Sequence, residues 1–340
     1  MFTYAIIGMG IRAAVVAEAV QAAAGHRARL VGYADPASVA YGLDYLTRLA
    51  GLAPGQPFVD PAAMLEALRP DAVIIGSPNH LHLEHLRLGL EAGCQVFCEK
   101  PLVITPEQTW ECARLIARHG RARLQVGLVL RLAPLFQAIS AHHARGALGR
   151  LVSIEANELL HPDHGGHIRR GWRRRRAWAG SYLLEKCCHD LDLLQALVGA
   201  RAARVACFGG IGVFTPENAD LLDGSGTDGR PRYFGSLPRW NDCGRIFDSD
   251  GDVCDHQVAI VEFADRARLA FHTNAHAVVQ RRWLLAGTHG VLESDFTDGR
   301  LRTRSAWGAW SERTVMAEGG HYGADSAMGR ALVAAWLDGQ

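Results

Sequence analysis

An apolar run that breaks into glycines and then into an alanine-rich helix constrains this chain most. Tyr4-Ala5-Ile6-Ile7 reads as a buried parallel strand, and Gly8-Met9-Gly10-Ile11-Arg12-Ala13 comes directly after it. Ala14 to Ala24 then reads as a helix stopped by Gly25. In this G-x-G-x-x-A turn Gly8 permits the tight bend, Gly10 lets the backbone approach a pyrophosphate, and Ala13 packs helix on strand. The helix start offers amide groups and a partial positive charge to phosphates. Glycine turns before helices are common, so the motif draws its specificity from the next hundred residues.

Those residues alternate between strand and helix. Leu30 to Ala34 is a second strand ending in Asp35-Pro36. An acidic residue about 20 residues past the glycines hydrogen-bonds the adenosine ribose and repels a 2′-phosphate, which favours NAD over NADP. Asp71 to Gly76 is a further strand, leading into Ser77-Pro78-Asn79-His80-Leu81-His82 and a helix to Ala92. The apolar run Cys94 to Cys98 leads to Glu99-Lys100-Pro101, Pro106 to His119 is a helix, and Leu124 to Gly127 is a last strand. This alternation predicts a parallel, doubly wound Rossmann sheet over residues 1–127.

Lys100 stands out by composition. The chain carries 34 arginines and two lysines, Lys100 and Lys186. Arginine stays charged in any setting, whereas lysine can exchange a proton near neutral pH. Lys100 closes a strand, and the carboxyl ends of strands are where open α/β sheets hold ligands. The Lys100-Pro101 bond is a candidate cis peptide.

Residues 128–340 read as a second domain whose later strands form one antiparallel sheet. A helix spans 128–145, and Leu151 to Glu158 alternates as a strand with one wet face. His161 to Trp172 reads as a glycine-loosened loop. Six arginines between Arg169 and Arg176 suit either a solvated face or an anion-facing, substrate-side loop. Gly180 to Asp192 is the second decisive block. As a helix it puts Glu185, His189 and Asp192 on one face, the arrangement of an oriented general base. Leu184, Cys187, Cys188 and Leu191 mark that helix as mostly buried, and the two cysteines as core. Thr215 to Asp252 reads as a long loop or insertion. Asp248 to Asp252 imitates a calcium loop, but its glycine falls one place early and no glutamate closes it. Strands are expected over Asp255 to Phe263, Arg268 to His276, Arg281 to Ala286, Gly290 to Ser294 and Arg300 to Arg304, then a last helix through Trp336.

These pieces, in this order, resemble the Gfo/Idh/MocA family of oxidoreductases. The matching residues are Gly8-Met9-Gly10, Asp35, Ser77-Pro78-Asn79 with His82, Glu99-Lys100-Pro101, Gln125-Val126-Gly127 with Arg131, and the block from Glu185 to Asp192. The resemblance implies a Rossmann domain followed by an α/β domain built on a large, mostly antiparallel open sheet, often used for dimer or tetramer contacts. It implies hydride transfer between a nicotinamide and a secondary alcohol of a sugar, sugar derivative or cyclic polyol. Lys100 and His189 would be catalytic, with Glu185 standing where relatives usually carry aspartate. NAD would contact Gly8, Met9, Gly10, Ile11, Arg12, Asp35, Ser77, Pro78, Asn79, His82, Glu99 and Lys100. The substrate would meet Arg131, Trp172, Arg173, Lys186 and Asp192. An NAD-dependent glycoside hydrolase or lyase working by transient oxidation, and a non-catalytic NAD-binding sensor, remain alternatives. Family chains usually continue further than this one.

Bulk properties narrow the classes. A net charge of +1 gives no electrostatic case for nucleic acid or a membrane surface, and no apolar run could cross a bilayer. His80, His82 and His85 lack acidic or cysteine partners in ligand spacing, and His161, His164 and His167 sit in the expected loop, so no metal is expected. Without a basic, apolar leader, the eight cysteines read as reduced thiols of a cytoplasmic protein.

Overall fold

The computed structural model describes residues 1–36, 40–222, 246–248 and 250–339. Within it the chain forms two compact units, one of Met1–Leu132 with Gly319–Gln340 and one of Ala133–Glu318. In the first unit β1 (Phe2–Ile7), β2 (Ala28–Ala34), β3 (Gln56–Phe58), β4 (Ala72–Ile75), β5 (Gln95–Cys98) and β6 (Leu124–Val126) form one parallel sheet. Its order is β3-β2-β1-β4-β5-β6, which places a topological switch between β1 and β4. Val73, Ile74 and Ile75 are fully buried, as a central parallel strand demands, and burying each side chain contributes about 1.5–3 kcal/mol. Helices Ile11–Ala24, Pro61–Leu68, His82–Glu91 and Pro106–His119 connect the strands. Pro61–Leu68 and β3 were not read from the sequence, although Asp60 accepts a cap bond from the Ala62 amide and Pro61 opens the helix.

The last helix, Ala324–Leu337, differs from the expected partition, which gave everything after residue 127 to the second domain. It packs with the first unit because small residues allow helices to touch: a β-carbon on Gly329 would stand 2.2 Å from the Ala19 carbonyl oxygen. Trp336 stacks on Phe2 and donates to Gln125 Oε1 at 2.9 Å.

The second unit is built on eight strands: β7 (Leu151–Leu159), β8 (Ala202–Gly210), β9 (His256–Phe263), β10 (Arg268–Asn274), β11 (Arg282–Gly287), β12 (Gly290–Asp295), β13 (Arg300–Ser305) and β14 (Ser311–Thr314). The order is β14-β13-β12-β11-β7-β10-β9-β8. Among the described strand pairs of this second sheet only β7–β10 is parallel. One face of β9 is buried through Ala259, Val261 and Phe263, whereas Val258 and Ile260 point outward, as does Phe208 on β8. The 128–145 segment is a short 3-10 turn, Val129–Leu132, followed by the helix Pro134–Ala144.

His161 to Trp172 is not the glycine-loosened loop expected. Pro162–Ile168 is helical, its start capped by His161 Nδ1, which accepts from the Asp163 amide at 3.3 Å. Its glycines serve close packing: a β-carbon on Gly165 would fall 1.6 Å from the Ala275 carbonyl oxygen. Most of the expected insertion lies outside the described residues. Its beginning is a 3-10 stretch, Pro216–Leu222. The rejected calcium loop lies partly outside them, at Ser249.

Candidate active site

The first unit supplies a dinucleotide cradle at its switch point. Gly8 has φ 85°, and a β-carbon there would stand 2.4 Å from the Ser77 nitrogen, so the β1 and β4 ends meet only through glycine. A β-carbon on Gly76 would come 2.7 Å from Ala13 Cβ, which is the close strand–helix packing expected of Ala13. Gly10 caps the helix Ile11–Ala24 without a side-chain bond, and its first turn carries no acidic residue. Its leading amides and dipole therefore suit a pyrophosphate. Asp35, at the end of β2, accepts from the Met9 amide through Oδ2 at 2.9 Å, which fixes the carboxylate beside the glycine turn. These residues fit a nicotinamide dinucleotide.

Around this cradle the remaining predicted cofactor residues take distinct positions. Ser77 and Asn79 are buried, and Pro78 is half-buried. Ser77 Oγ lies 2.8 Å from His85 Nδ1; burial first, then the neighbouring His82 and His80, lowers His85 to about 4, so its ring is neutral at pH 7 and can accept the hydroxyl proton. His82 is a brace: Nδ1 lies 2.8 Å from the Pro101 carbonyl oxygen and Nε2 2.9 Å from that of Ser77, so it joins the turns after β4 and β5. Arg12 points its guanidinium at carboxylates, with Nε 2.8 Å from Glu99 Oε1 and Nη1 2.7 Å from Asp325 Oδ1. Glu99 accepts from the Lys100 amide at 3.2 Å, and the Lys100-Pro101 peptide is cis as expected. Lys100 itself is half-buried at the carboxyl end of β5, one strand from the switch, and Arg131 is exposed on the 3-10 turn.

The second unit carries the histidine on the helix Tyr182–Val198. Ser181 caps it, accepting from the Leu184 amide at 3.2 Å, and Gly199 ends it with φ 71°. Glu185 and His189, one turn apart, are 8% and 4% exposed, and Asp192 is half-buried. Glu185 pairs with Arg173 at 3.3 Å; burial pulls the Arg173 pKa down while Glu185 pulls it up. Cys187 is buried, and burial pushes its thiol well above the ordinary value, as core packing requires.

A buried ionic network beneath this helix was not foreseen. Arg281 donates from Nε to Asp190 Oδ1 at 2.9 Å and from Nη2 to Asp190 Oδ2 at 2.8 Å, and Nη2 lies 2.7 Å from Glu158 Oε1. Lys186, predicted to meet substrate, lies 3.3 Å from that same Glu158 oxygen. Burial pushes the Asp190 carboxyl up against the pull of Arg281, whereas Glu158, equally buried, is held down by Arg281 and Lys186. The signal was the Glu158 carboxylate at a strand end; nothing local named its partner 123 residues away. Asp190, beside His189, thus anchors the helix through a bidentate bond.

Three arginines of the cluster have partners that the sequence readings did not name. Arg169 donates to the Val253 carbonyl at 2.7 Å, Arg174 to Asp250 Oδ1 at 2.7 Å, and Arg175 pairs with the same carboxylate. These three side chains therefore clamp the segment 250–253. Trp172 stays half-buried beneath the Arg173 guanidinium, 4.2 Å away. Among the described residues no three His, Cys, Asp or Glu side chains are grouped closely enough for a metal.

Comparison with known proteins agrees with this architecture. Residues 2–128 match the model of the oxidoreductase family with an NAD-binding Rossmann fold, and residues 136–293 match the Gfo/Idh/MocA C-terminal domain. D-glucoside 3-dehydrogenase of Escherichia coli is 34% identical over 148 residues, 43% of this chain and 40% of that protein. 2,7-Anhydro-N-acetylneuraminate hydratase of Mediterraneibacter gnavus is 26% identical over 228 residues, 67% of this chain and 52% of that protein. The matched stretches thus span about half or less of those relatives' own lengths. A levoglucosan dehydrogenase solved with NADH and levoglucosan shares the fold at TM-score 0.75 and 19% identity, over 98% of this chain and 90% of that one. With both domain models matched in order and the glycine cradle intact, the chain belongs to the Gfo/Idh/MocA oxidoreductases, whose first domain is an NAD-binding Rossmann fold.

Proposed function

We propose that the chain is an NAD-dependent dehydrogenase acting on a secondary alcohol of a sugar, sugar derivative or cyclic polyol. The observation that carries this reading is Lys100, one of two lysines in an arginine-rich chain, standing at the carboxyl end of β5 beside the cradle. Bound NAD supplies the hydride acceptor. His189 takes the hydroxyl proton as the adjacent carbon loses hydride, leaving a ketone. Lys100 hydrogen-bonds the same oxygen and stabilises its developing negative charge. Glu185 orients the proton path, and Arg131, Trp172, Arg173, Lys186 and Asp192 bind substrate hydroxyls. Asp35 selects NAD by repelling a 2′-phosphate.

The same reading includes a cytoplasmic homodimer or homotetramer. It is supported by seven described cysteines, none of them in a disulfide, and by an outward sheet face carrying Phe208, Val258 and Ile260.

A panel of sugars, glycosides, sugar acids and inositols, scored by NADH absorbance, tests the proposal. Stoichiometric NADH with one substrate class is the expected result. The hydratase relative favours a second reading, in which the substrate is oxidised, loses or gains water, and is reduced again. Product without net NADH indicates that reading. Tight NAD binding with no turnover across the panel indicates a sensor.

A further inference from the structure

Arg12 occupies the first turn of a dinucleotide-binding helix, yet its guanidinium is engaged inside the first unit. Besides Glu99 and Asp325 it reaches Met328 Sδ at 3.7 Å. Burial opposes its charge, but the two carboxylates more than offset this, and its pKa lies above the ordinary value. The segment that delivers Asp325 is costly to form. His321 and Tyr322 both adopt left-handed backbone, with φ 50° and 56°, between Gly319 at 98° and Gly323 at 82°. Two successive non-glycine residues in that region persist only where the surroundings enforce them. Here the turn puts His321 Nδ1 3.0 Å from Asp325 Oδ2 and 3.4 Å from Arg12 Nη1.

On its other side Arg12 meets a carboxylate with little room to move. A β-carbon on Gly127 would stand 2.9 Å from Glu99 Oε2, and that oxygen accepts from the Lys100 amide. Tyr45, which donates to Glu18 Oε2 at 2.7 Å, lies within electrostatic reach of both Arg12 and Asp325.

We propose that Arg12 is a positioning residue for Lys100. It ties the last helix, through Asp325, to the carboxylate that holds the Lys100 main chain, and it screens the Lys100 ammonium from that carboxylate. The inference deepens the reading of Lys100 as a catalytic group and rests on it for its consequence, while its test needs no substrate.

Because the chain has two lysines, protein labelled with carbon-13 lysine gives two side-chain resonances, and Lys186→Arg assigns them. In Arg12→Met the uncovered Glu99 charge should raise the Lys100 pKa by roughly one unit, the low end of what a nearby opposite charge does. Adding Glu99→Gln should cancel the rise. Asp325→Asn, the milder change should Arg12→Met fail to fold, leaves the cluster more positive and should make Lys100 titrate lower. A Lys100 titration unmoved in a folded Arg12→Met or Asp325→Asn variant would overturn the proposal. A dead substrate panel beside the expected titrations would count against the dehydrogenase reading alone.

Discussion

Arg281→Met would remove the guanidinium that two buried carboxylates share. Arg281, Asp190 and Glu158 have side chains 6%, 0% and 5% exposed, and Arg281 reaches all three of its carboxylate oxygens at 2.7–2.9 Å. After the substitution Lys186, 3.3 Å from Glu158, remains as a cation beside them. Removing one partner of a buried pair costs about 3–5 kcal/mol. Protonation limits that cost. Asp190 is already raised by burial in the parent, so the linkage lost with the guanidinium is chiefly that of Glu158, which despite burial Arg281 and Lys186 hold below its ordinary value. In the parent the folded pKa of Glu158 lies below its unfolded one, so that contribution is present above the unfolded value and lost as pH falls through the folded one. Urea unfolding, read by tryptophan fluorescence with buried Trp283 as a reporter in this unit, should therefore give a deficit of about 3–5 kcal/mol at pH 7 that shrinks as the pH is lowered through the carboxylate range. A deficit below about 1 kcal/mol at pH 7, or one that does not shrink on acidification, would refute the reasoning.

Three further substitutions probe the same geometry. Gly8→Ala forces a side chain into left-handed backbone against Ser77, so calorimetry should show NAD binding lost and a stability loss of about 1–3 kcal/mol. Asp35→Ser removes the charge that repels a 2′-phosphate, and the ratio of NAD to NADP affinity should fall at least about tenfold, as one lost charge interaction of about 1.4 kcal/mol gives. Asp255, 1% exposed, accepts from the Gly212, Val213 and Phe214 amides at 2.8–3.1 Å, and these bonds and His256 hold its pKa down despite burial. Its contribution is present above the unfolded pKa and lost as pH falls through the lowered one. Asp255→Ala should therefore cost about 2–3 kcal/mol at neutral pH and less in acid, by the same unfolding assay.

The features legible in the sequence are local ones. The strand–glycine–helix start, Asp35, the helix from Pro106 and the helix that Ser181 opens all announce themselves within a few residues, because buried strands, caps and helix periods are short-range patterns. The missed pieces depend on partners far along the chain. Arg169, Arg174 and Arg175 looked like a solvent face or an anion pocket, since their acceptors at 250–253 lie about 80 residues away. Gly165 looked like looseness, whereas it is contact with Ala275. Arg12 reads from the sequence as an NAD contact, and nothing local announces its pairing with Asp325, 313 residues further on. The short strands β3 and β14 carry too few residues for a period to show.

The account turns on two proton-handling side chains, and the direct measurement is steady-state turnover beside NAD affinity in Lys100→Met and His189→Ala. Each variant should bind NAD as the parent does and lose at least about a hundredfold in kcat with the substrate the panel identifies. Parent-like kcat in both variants would contradict the account.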